Sequence, residues 1–316
     1  MMRVFVYEHL SGTGSAAAGA ELLGAGLAMR DAVVQDLLRA GDLWVSVAAG
    51  HGALAVPPAA WPVQAQPGTS AADFVAHQAR LHDRVWVIAP ETDGLLWQLQ
   101  LAVGAGRWLG CAADAITLAS SKRATLARAA ARGVLTPLAF ATSRALCRWV
   151  VKPDDGAGAV ATRVHDTLAA ASNDAESRRR RGESATLEAW VAGEPLSLSL
   201  LCSAGRTELL SVNHQQLVID AAGELSFTGV QIAALPRDDV RAAALDVWAQ
   251  TLVGAITGLC GFVGVDLVWH PQRGPVLIEI NPRVTMAYVG LSAALGRNLA
   301  KAVLAAHDRE PIRAAA

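Results

Sequence analysis

The stretch GVDLVW at residues 264–269 is followed, after a short connection, by VLIEINPR at residues 276–283. The connection, HPQRGP at residues 270–275, is rich in turn-forming residues, so the two stretches predict a β-hairpin. Folding the hairpin symmetrically about the middle of its turn places Asp266 opposite Glu279. Two carboxylates directly opposed among apolar neighbours repel each other and destabilise a hairpin unless something neutralises them.

A bound divalent cation would neutralise this pair. Because side chains alternate along a strand, Glu279, Asn281 and Arg283 share one face of the second strand. Asp266, Glu279 and Asn281 offer only hard oxygen ligands, which favour Mg²⁺ or Mn²⁺ over zinc. Arg283, just beyond them, could grip a phosphate or stabilise transferring charge, which would make it catalytic. The alternative is a surface hairpin with incidental acids.

Lysine is scarce in this chain, where 27 residues are basic but only Lys122, Lys152 and Lys301 are lysines. A position that keeps lysine can need a compact ammonium that a planar guanidinium does not replace. No lysine follows a glycine, which excludes the usual P-loop. Lys152 instead ends a strand-like run before a loop with Gly156 and Gly158, whose backbone N–H groups could fold over phosphates. Lys122 opens the preceding predicted helix, and a solvated surface position is the alternative for either lysine.

A mononucleotide site also needs a slot for the base, and the segment EAWVAGE at residues 188–194 is the candidate. An exposed strand through Trp190 and Val191 could pair its backbone with an adenine edge. Glu188 could accept a hydrogen bond from the exocyclic amine, and Glu194 could hold ribose hydroxyls. A plain strand with charged ends is an equally good interpretation of this segment.

Length and composition restrict the class of protein. With 316 residues, 53% of them hydrophobic and 17% charged, the chain can form two or three packed subdomains. A net charge of −1 leaves no basic face for nucleic acid. No apolar run reaches the ~18 residues of a membrane span, and the N-terminus reads as a strand rather than a signal peptide. We therefore expect a cytoplasmic protein that binds neither nucleic acid nor membrane.

Alternating strand and helix patterns in the first hundred residues predict a parallel sheet. The expected elements are strands at 3–7, 43–47 and 84–89, a helix at 20–40 and a Pro/Gly/Gln-rich loop at 57–69. Further along, a helix is expected at 120–133 and a short strand at 149–152.

Strand patterns dominate the second half of the chain. The expected elements are strands at 186–191, 196–202, 208–212, 216–219, 262–269 and 275–281, and helices at 238–259 and 290–306. The polar stretch 170–185 is interpreted as a solvated, mobile connection, with phosphate binding by its arginines at 178–181 as the lesser option. The four scattered cysteines are expected to be buried small residues: Cys111, Cys147, Cys202 and Cys260.

The order of the chemical features resembles the ATP-grasp superfamily over about residues 120–290. That order is two lysines, a glycine loop, a hinge at 188–191 and a carboxylate hairpin whose second strand reads E-x-N-x-R. The resemblance implies a fold of α/β and α+β parts in which two α+β subdomains clamp ATP. Its expected units are an N-terminal Rossmann-like parallel-sheet domain at 1–115, a small subdomain at 116–185 and a large subdomain with the metal site at 186–316. It also implies two metal ions on the phosphates, and a carboxylate activated as an acyl phosphate that an amine then attacks.

Within that superfamily the chain is similar to the tyramine–glutamate ligases of methanofuran biosynthesis and their bacterial relatives. The likeness is carried by five short motifs: VFVYE at 4–8, GLAMRDA at 26–32, IAPETDG at 88–94, VNHQ at 212–215 and FTG at 227–229. It implies small-molecule substrates, namely glutamate and tyramine or tyrosine, in the biosynthesis of a methylofuran-type cofactor, and a homodimer is a further expectation.

The sequence departs from the family pattern at three places. Ser121 stands where an acid is expected before the first lysine, and the ribose-binding position falls at Glu194 or Pro195. No arginine precedes Asp266, unlike the D-alanine–D-alanine ligases, which argues against a cell-wall dipeptide ligase. No residue is clearly the base for the amine, and the candidates at strand ends or loops are Glu8, His9, Glu91 and His214.

Three further functions compete with this assignment. The stretch GTGSAA at 12–17 fits the dinucleotide fingerprint of a nicotinamide oxidoreductase. However, four residues, Glu8–Ser11, separate the first strand from Gly12. In addition, no acidic residue ends a second strand about 20 residues further on, where the fingerprint requires one. The pattern also fits an ATP-grasp ligase with different substrates. A non-catalytic ATP-binding regulator is the third, and the retained lysines and metal-ligand positions argue against it.

Overall fold

The computed structural model describes residues 1–13, 20–50, 55–142, 148–156, 158–203, 205–236 and 238–308. Within these residues the strands form three separate sheets. The first sheet is parallel, as the alternating pattern predicts, and the other two are antiparallel. The α/β and α+β fold class predicted from the sequence is confirmed.

The first sheet has the strand order β3-β2-β1-β4. Its elements are β1 Met2–Glu8, α1 His9–Thr13, α2 Ala20–Arg39, β2 Leu43–Ala48, β3 Trp61–Val63, α3 Ala71–Leu81, β4 Arg84–Ile88 and α4 Leu95–Val103. Helix α2 covers one face, where its Val33 and Leu37 pack with Val4 and Val45 in one buried cluster. The short edge strand β3 lies inside the predicted loop, and its three residues are too few to produce a strand pattern.

The second sheet is small and has the order β6-β5-β7. Its elements are α5 Ala113–Ala119, α6 Lys122–Ala130, β5 Trp149–Pro153, β6 Arg163–His165, α7 Leu168–Arg180 and β7 Ala185–Ala189. Helix α6 begins at Lys122, and β5 carries Lys152 at its penultimate position. Both lysines are therefore fixed on regular elements.

The prediction of a solvated connection at 170–185 is wrong, because most of this stretch is helix α7. Thr167 caps the helix by accepting the Ala170 N–H, and Ala171 and Ala175 are buried on its inner face. Arg178 is buried as well, donating to Asp174 and to the Ala161 carbonyl. The apolar face of α7 consists of small alanines. The many polar residues of this stretch therefore obscured its helical pattern in the sequence.

The third sheet has the order β10-β9-β8-β11-β12. Its elements are β8 Glu194–Ser203, β9 Arg206–Ile219, β10 Leu225–Gln231, α8 Val240–Ala255, β11 Gly261–His270, β12 Gly274–Asn281, α9 Leu291–Ala294 and α10 Leu299–Asp308. Two predicted strands are one continuous strand, β9, and the predicted final helix is divided near Gly296, whose φ is 59°. Strand β10 was not predicted.

Alternation along β8 separates an apolar face from a polar one. Leu196, Leu198 and Leu200 are buried in the main core, whereas Ser197 and Ser199 point to the opposite face and are also buried. Ser197 pairs with Asp266 on β11. The polar face of the sheet is therefore the one that carries the side chain of Asp266.

Two predictions concern residues that lie partly outside the described ranges. The segment 14–17 of the dinucleotide-like motif and Cys147 are among these residues. Cys111 and Cys202 are buried as predicted, and Cys260 is half-buried with its Sγ 3.4 Å from His307 Nε2. No helix in the described part of the chain is long and apolar enough to cross a membrane.

Candidate active site

The carboxylate hairpin has the predicted register at its carboxylate pair but not beside the turn, where His270 pairs with Gly274 and not with Pro275. Asp266 on β11 pairs with Glu279 on β12, and Gly264 pairs with Asn281. A register shift follows Asp266, where the extra residue Ile278 forms an irregularity. A Cβ on Gly264 would lie 2.6 Å from Thr285 Cγ2, so glycine is required for the chain to pass this closely.

Asp266 is held by two side-chain amides. Gln215 Nε2 donates to one carboxylate oxygen at 3.0 Å, and Asn281 Nδ2 donates to the other at 3.2 Å. Burial, together with the charge of Glu279, raises the pKa of Asp266 to about 7. The fold therefore disfavours two negative charges at this position. Gln215 was not predicted as a site residue, although its strand shows polar residues at every second position.

Lys122 joins the hairpin to the glycine loop. Its Nζ lies 3.1 Å from Glu279 Oε1 and 3.2 Å from the carbonyl oxygen of Gly156. The start of α6 is fixed by Asp154, which accepts the Arg123 N–H and the Ser121 hydroxyl. Ser121, found where an acid was expected, is therefore the helix cap.

Lys152 lies on the neighbouring small sheet. Its Nζ is 3.0 Å from Glu188 Oε2, and both side chains are buried. Thr186 also donates to Glu188, at 3.0 Å. Glu188, predicted to bind the adenine amine, is thus paired with Lys152, predicted to bind phosphate.

The predicted base-binding segment runs along a sheet edge but is less exposed than expected. Strand β7 is at the edge of its sheet and ends at Ala189. Trp190 is half-buried, and its backbone N–H donates to the Arg148 carbonyl. Val191 is buried. The expectation of an exposed strand is wrong for Val191, because it packs in a small cluster with Phe140 and Val276.

Glu194 belongs to a different sheet from Lys152. It opens β8, and its Oε2 accepts from Arg241 Nη1 at 2.7 Å. Arg241 also bonds Asp239, the cap of α8. The structure gives Glu194 a local ion pair, and its predicted contact with ribose remains a prediction.

The glycine loop has the backbone that its sequence requires. Gly156 and Gly158 have φ values of 99° and 71°, in the left-handed region that favours glycine. Beside them, Asp155 Oδ2 accepts the N–H of Asp93 at 2.9 Å, which ties the loop to the N-terminal sheet region.

Arg283 forms a two-pronged ion pair with Glu91. Its Nε and Nη2 donate to the two oxygens of Glu91 at 2.9 and 3.0 Å, and Nη1 donates to the Val284 carbonyl. Burial raises the pKa of Glu91, although the guanidinium opposes this. Glu91 thus holds the guanidinium of Arg283, which follows the predicted ligand Asn281 by two residues.

The other candidate bases have different surroundings. Glu8 is buried and accepts the N–H groups of Leu10 and Ser11, so it caps α1. Burial lowers the pKa of His9, with Glu8 opposing. His214 lies on β9, opposite Leu196.

The donor set of the hairpin fits a hard divalent cation. In the part of the chain that the structure describes, no group of three or more His, Cys, Asp or Glu residues could hold a metal. The predicted set has only two carboxylates, Asp266 and Glu279. Its third donor is the amide oxygen of Asn281, which is none of these four residue types. Its oxygen donors and the half-buried positions of Asp266 and Glu279 suit a hard divalent cation held by few protein ligands.

A family model described as an ATP-grasp domain matches residues 119–287, more than half of the chain. The chain belongs to the ATP-grasp family. A second model, described as a pre ATP-grasp 3 domain, matches residues 35–116. The ATP-grasp match contains both lysines, the glycine loop and the carboxylate hairpin. The family uses ATP with divalent metal ions, in keeping with the donor set described above. No curated protein matches the chain.

Solved structures share the fold over nearly the whole chain. An ATP-grasp superfamily protein from Archaeoglobus fulgidus has a TM-score of 0.70 and 22% identity, covering 96% of this chain and 88% of its own. An L-amino acid ligase from Bacillus licheniformis has a TM-score of 0.69 and 18% identity, covering 99% and 75%. A D-alanine–D-alanine ligase from Bacillus anthracis, complexed with ATP, has a TM-score of 0.66 and 12% identity, covering 98% of each chain. At these identities the likeness establishes the ATP-grasp architecture.

Proposed function

We propose that this protein is an ATP-dependent carboxylate–amine ligase that works through an acyl phosphate. The observation that carries the proposal is the position of Lys122. Its Nζ touches both Glu279 of the carboxylate pair and Gly156 of the glycine loop, at 3.1 and 3.2 Å. A cation between a metal carboxylate and a phosphate-binding loop is what the triphosphate of ATP requires.

The residues of the site divide the work of phosphoryl transfer. Asp266, Glu279 and Asn281 would hold Mg²⁺, which would neutralise part of the phosphate charge when bound. Lys122 and Lys152 neutralise the remaining phosphate charge, with Lys152 exchanging part of its contact with Glu188 for phosphate. Positioning and electrostatic stabilisation provide most of the acceleration in such transfers.

The reaction then has two balanced steps. A carboxylate oxygen of the acid substrate attacks the γ-phosphorus and ADP leaves, giving an acyl phosphate. The amine attacks the acyl carbon, inorganic phosphate leaves, and the amine loses a proton. The glycine loop excludes water from the reactive acyl phosphate, and Arg283 retains N–H groups that can face the transferred phosphoryl group.

We further propose glutamate as the acid and tyramine or tyrosine as the amine, as in methylofuran-type cofactor synthesis. The five motifs shared with tyramine–glutamate ligases support this assignment. The motif VFVYE ends at Glu8, and the motif IAPETDG contains Glu91. Both residues lie at the carboxyl ends of the paired strands β1 and β4. Ligands of open α/β sheets bind at such ends. The three structural units are proposed as well, with the small unit extended through Ala189 because β7 pairs with β5.

Release of ADP tests the proposed function. Purified protein is incubated with Mg²⁺, ATP and glutamate, with and without tyramine or tyrosine. Turnover should need both substrates and fall at least about 100-fold in Glu279→Ala, since that change removes a metal ligand and the partner of Lys122. Lys301→Ala, which alters an exposed lysine, is the control and should keep wild-type turnover.

Each other outcome has a defined meaning. Turnover with a different acid and amine would retain the ligase and contradict the methylofuran assignment. ATP binding without ADP release across acid and amine panels would favour a non-catalytic regulator. Full turnover in Glu279→Ala would contradict the metal site itself.

A further inference from the structure

The partner of Arg283 is unexpected for a phosphate-binding arginine. Glu91 takes two of its N–H groups, and the Val284 carbonyl takes a third. Only 9% of the Arg283 side chain and 3% of the Glu91 side chain are exposed. The pair therefore fixes the guanidinium inside the site and leaves two of its five N–H donors for other acceptors.

Other carboxylates compete for this guanidinium. Arg283 follows Asn281 by two residues, and the Asn281 amide is bonded to Asp266. Asp266 pairs in turn with Glu279 across the hairpin, so both carboxylates lie beside the end of β12 from which Arg283 follows. A guanidinium binds any of these carboxylates with the same fork geometry.

We propose that Glu91 is a positioning residue that holds Arg283 off Asp266 and Glu279, so that these oxygens remain available to the divalent cation. The inference rests on the proposed function, because it concerns the metal of that reaction. Without Glu91, the buried guanidinium would turn to the two hairpin carboxylates beside the end of β12. It would then occupy the cation's place with its own positive charge.

The loop that carries Glu91 is built to hold it still. Glu91 directly precedes a single 3₁₀ turn, Thr92–Gly94. Asp93 and Gly94 both have left-handed backbone, with φ values of 54° and 69°. The N–H of Asp93 is bonded to Asp155 of the glycine loop at 2.9 Å. A carboxylate that orients another side chain needs such support from its surroundings.

Binding of Mn²⁺, followed by electron paramagnetic resonance on the full chain without nucleotide, tests the inference apart from turnover. Glu91→Gln should weaken Mn²⁺ binding about tenfold, the size of effect seen when an outer partner of a metal site is lost. The double variant Glu91→Gln/Arg283→Gln should restore Mn²⁺ affinity to within about threefold of wild type, although its turnover stays low. Glu183→Gln, which alters an exposed acid paired with Arg181, is the control and should bind Mn²⁺ normally.

Two results would overturn the inference. One is a Glu91→Gln protein that binds Mn²⁺ as the wild type does. The other is a double variant as weak as the single variant, which would mean that Arg283 is not the competitor. If Glu91→Gln does not fold, Glu91→Asp replaces it, since the shortened carboxylate keeps its charge but withdraws from Arg283 and should also weaken Mn²⁺ binding. A wild type that neither binds Mn²⁺ nor turns over ATP would instead contradict the proposed function.

Discussion

At the scale of single residues, the site is defined by two opposed carboxylates and the lysine beside them. Asp266 and Glu279 face each other, and the Lys122 ammonium lies 3.1 Å from Glu279. Sequence alone predicted this pair, but the turn is centred on Gln272, half a residue earlier than predicted, and the extra residue Ile278 restores the pairing. It did not predict Gln215 or the Glu91–Arg283 pair, since such contacts join strands and loops far apart in the chain.

The raised pKa of Asp266 makes metal-free stability depend on pH. Its pKa rises from a usual value of 3.8 to about 7, so the folded protein binds the proton more tightly than the unfolded chain. The free energy of unfolding should therefore fall as pH rises from about 4 to about 7. Urea unfolding in EDTA at several pH values measures this slope. Asp266→Asn should reduce the slope, and an unchanged slope would contradict the assignment.

At the scale of elements, the hairpin of β11 and β12 holds two opposed carboxylates and should be stabilised by a cation. Mn²⁺ at about 100 times its dissociation constant should raise the free energy of unfolding by about 2.7 kcal/mol. Thermal unfolding with and without Mn²⁺ measures this effect. Glu279→Gln should abolish the increase, whereas Glu224→Gln, on an exposed turn, should retain it. Equal stabilisation of both variants would place the ion elsewhere.

Helix α7 shows where sequence patterns fail. Its polar residues predicted a loop, but buried Arg178 and its bonds to Asp174 and Ala161 fix the helix against the small sheet. Arg178→Ala should lower the free energy of unfolding by about 1–3 kcal/mol, and Arg180→Ala, whose side chain is 73% exposed, should change it by under about 0.5 kcal/mol. Urea unfolding of both variants measures the two changes. Equal effects would contradict the anchoring role of Arg178 and favour the solvated connection predicted from the sequence.

At the scale of the whole molecule, the sequence predicted the fold class. Period-two and helical patterns suffice for long elements such as α2 and β11, whereas β3 has three residues and β10 follows a turn, so neither gave a clear pattern. The three sheets meet through side chains that no local pattern reveals, among them Asp93 with Asp155 and Lys122 with Glu279. The second of these contacts brings two predicted site residues together.

Transfer of oxygen from the acid substrate to phosphate is the most direct test of the central claim. Glutamate labelled with ¹⁸O in its carboxylates is turned over with ATP and the amine, and the released phosphate is examined by mass spectrometry. Formation of an acyl phosphate predicts one ¹⁸O atom in each phosphate, because the attacking carboxylate oxygen leaves with the phosphorus. Unlabelled phosphate from a productive reaction would contradict the acyl phosphate and, with it, the proposed mechanism.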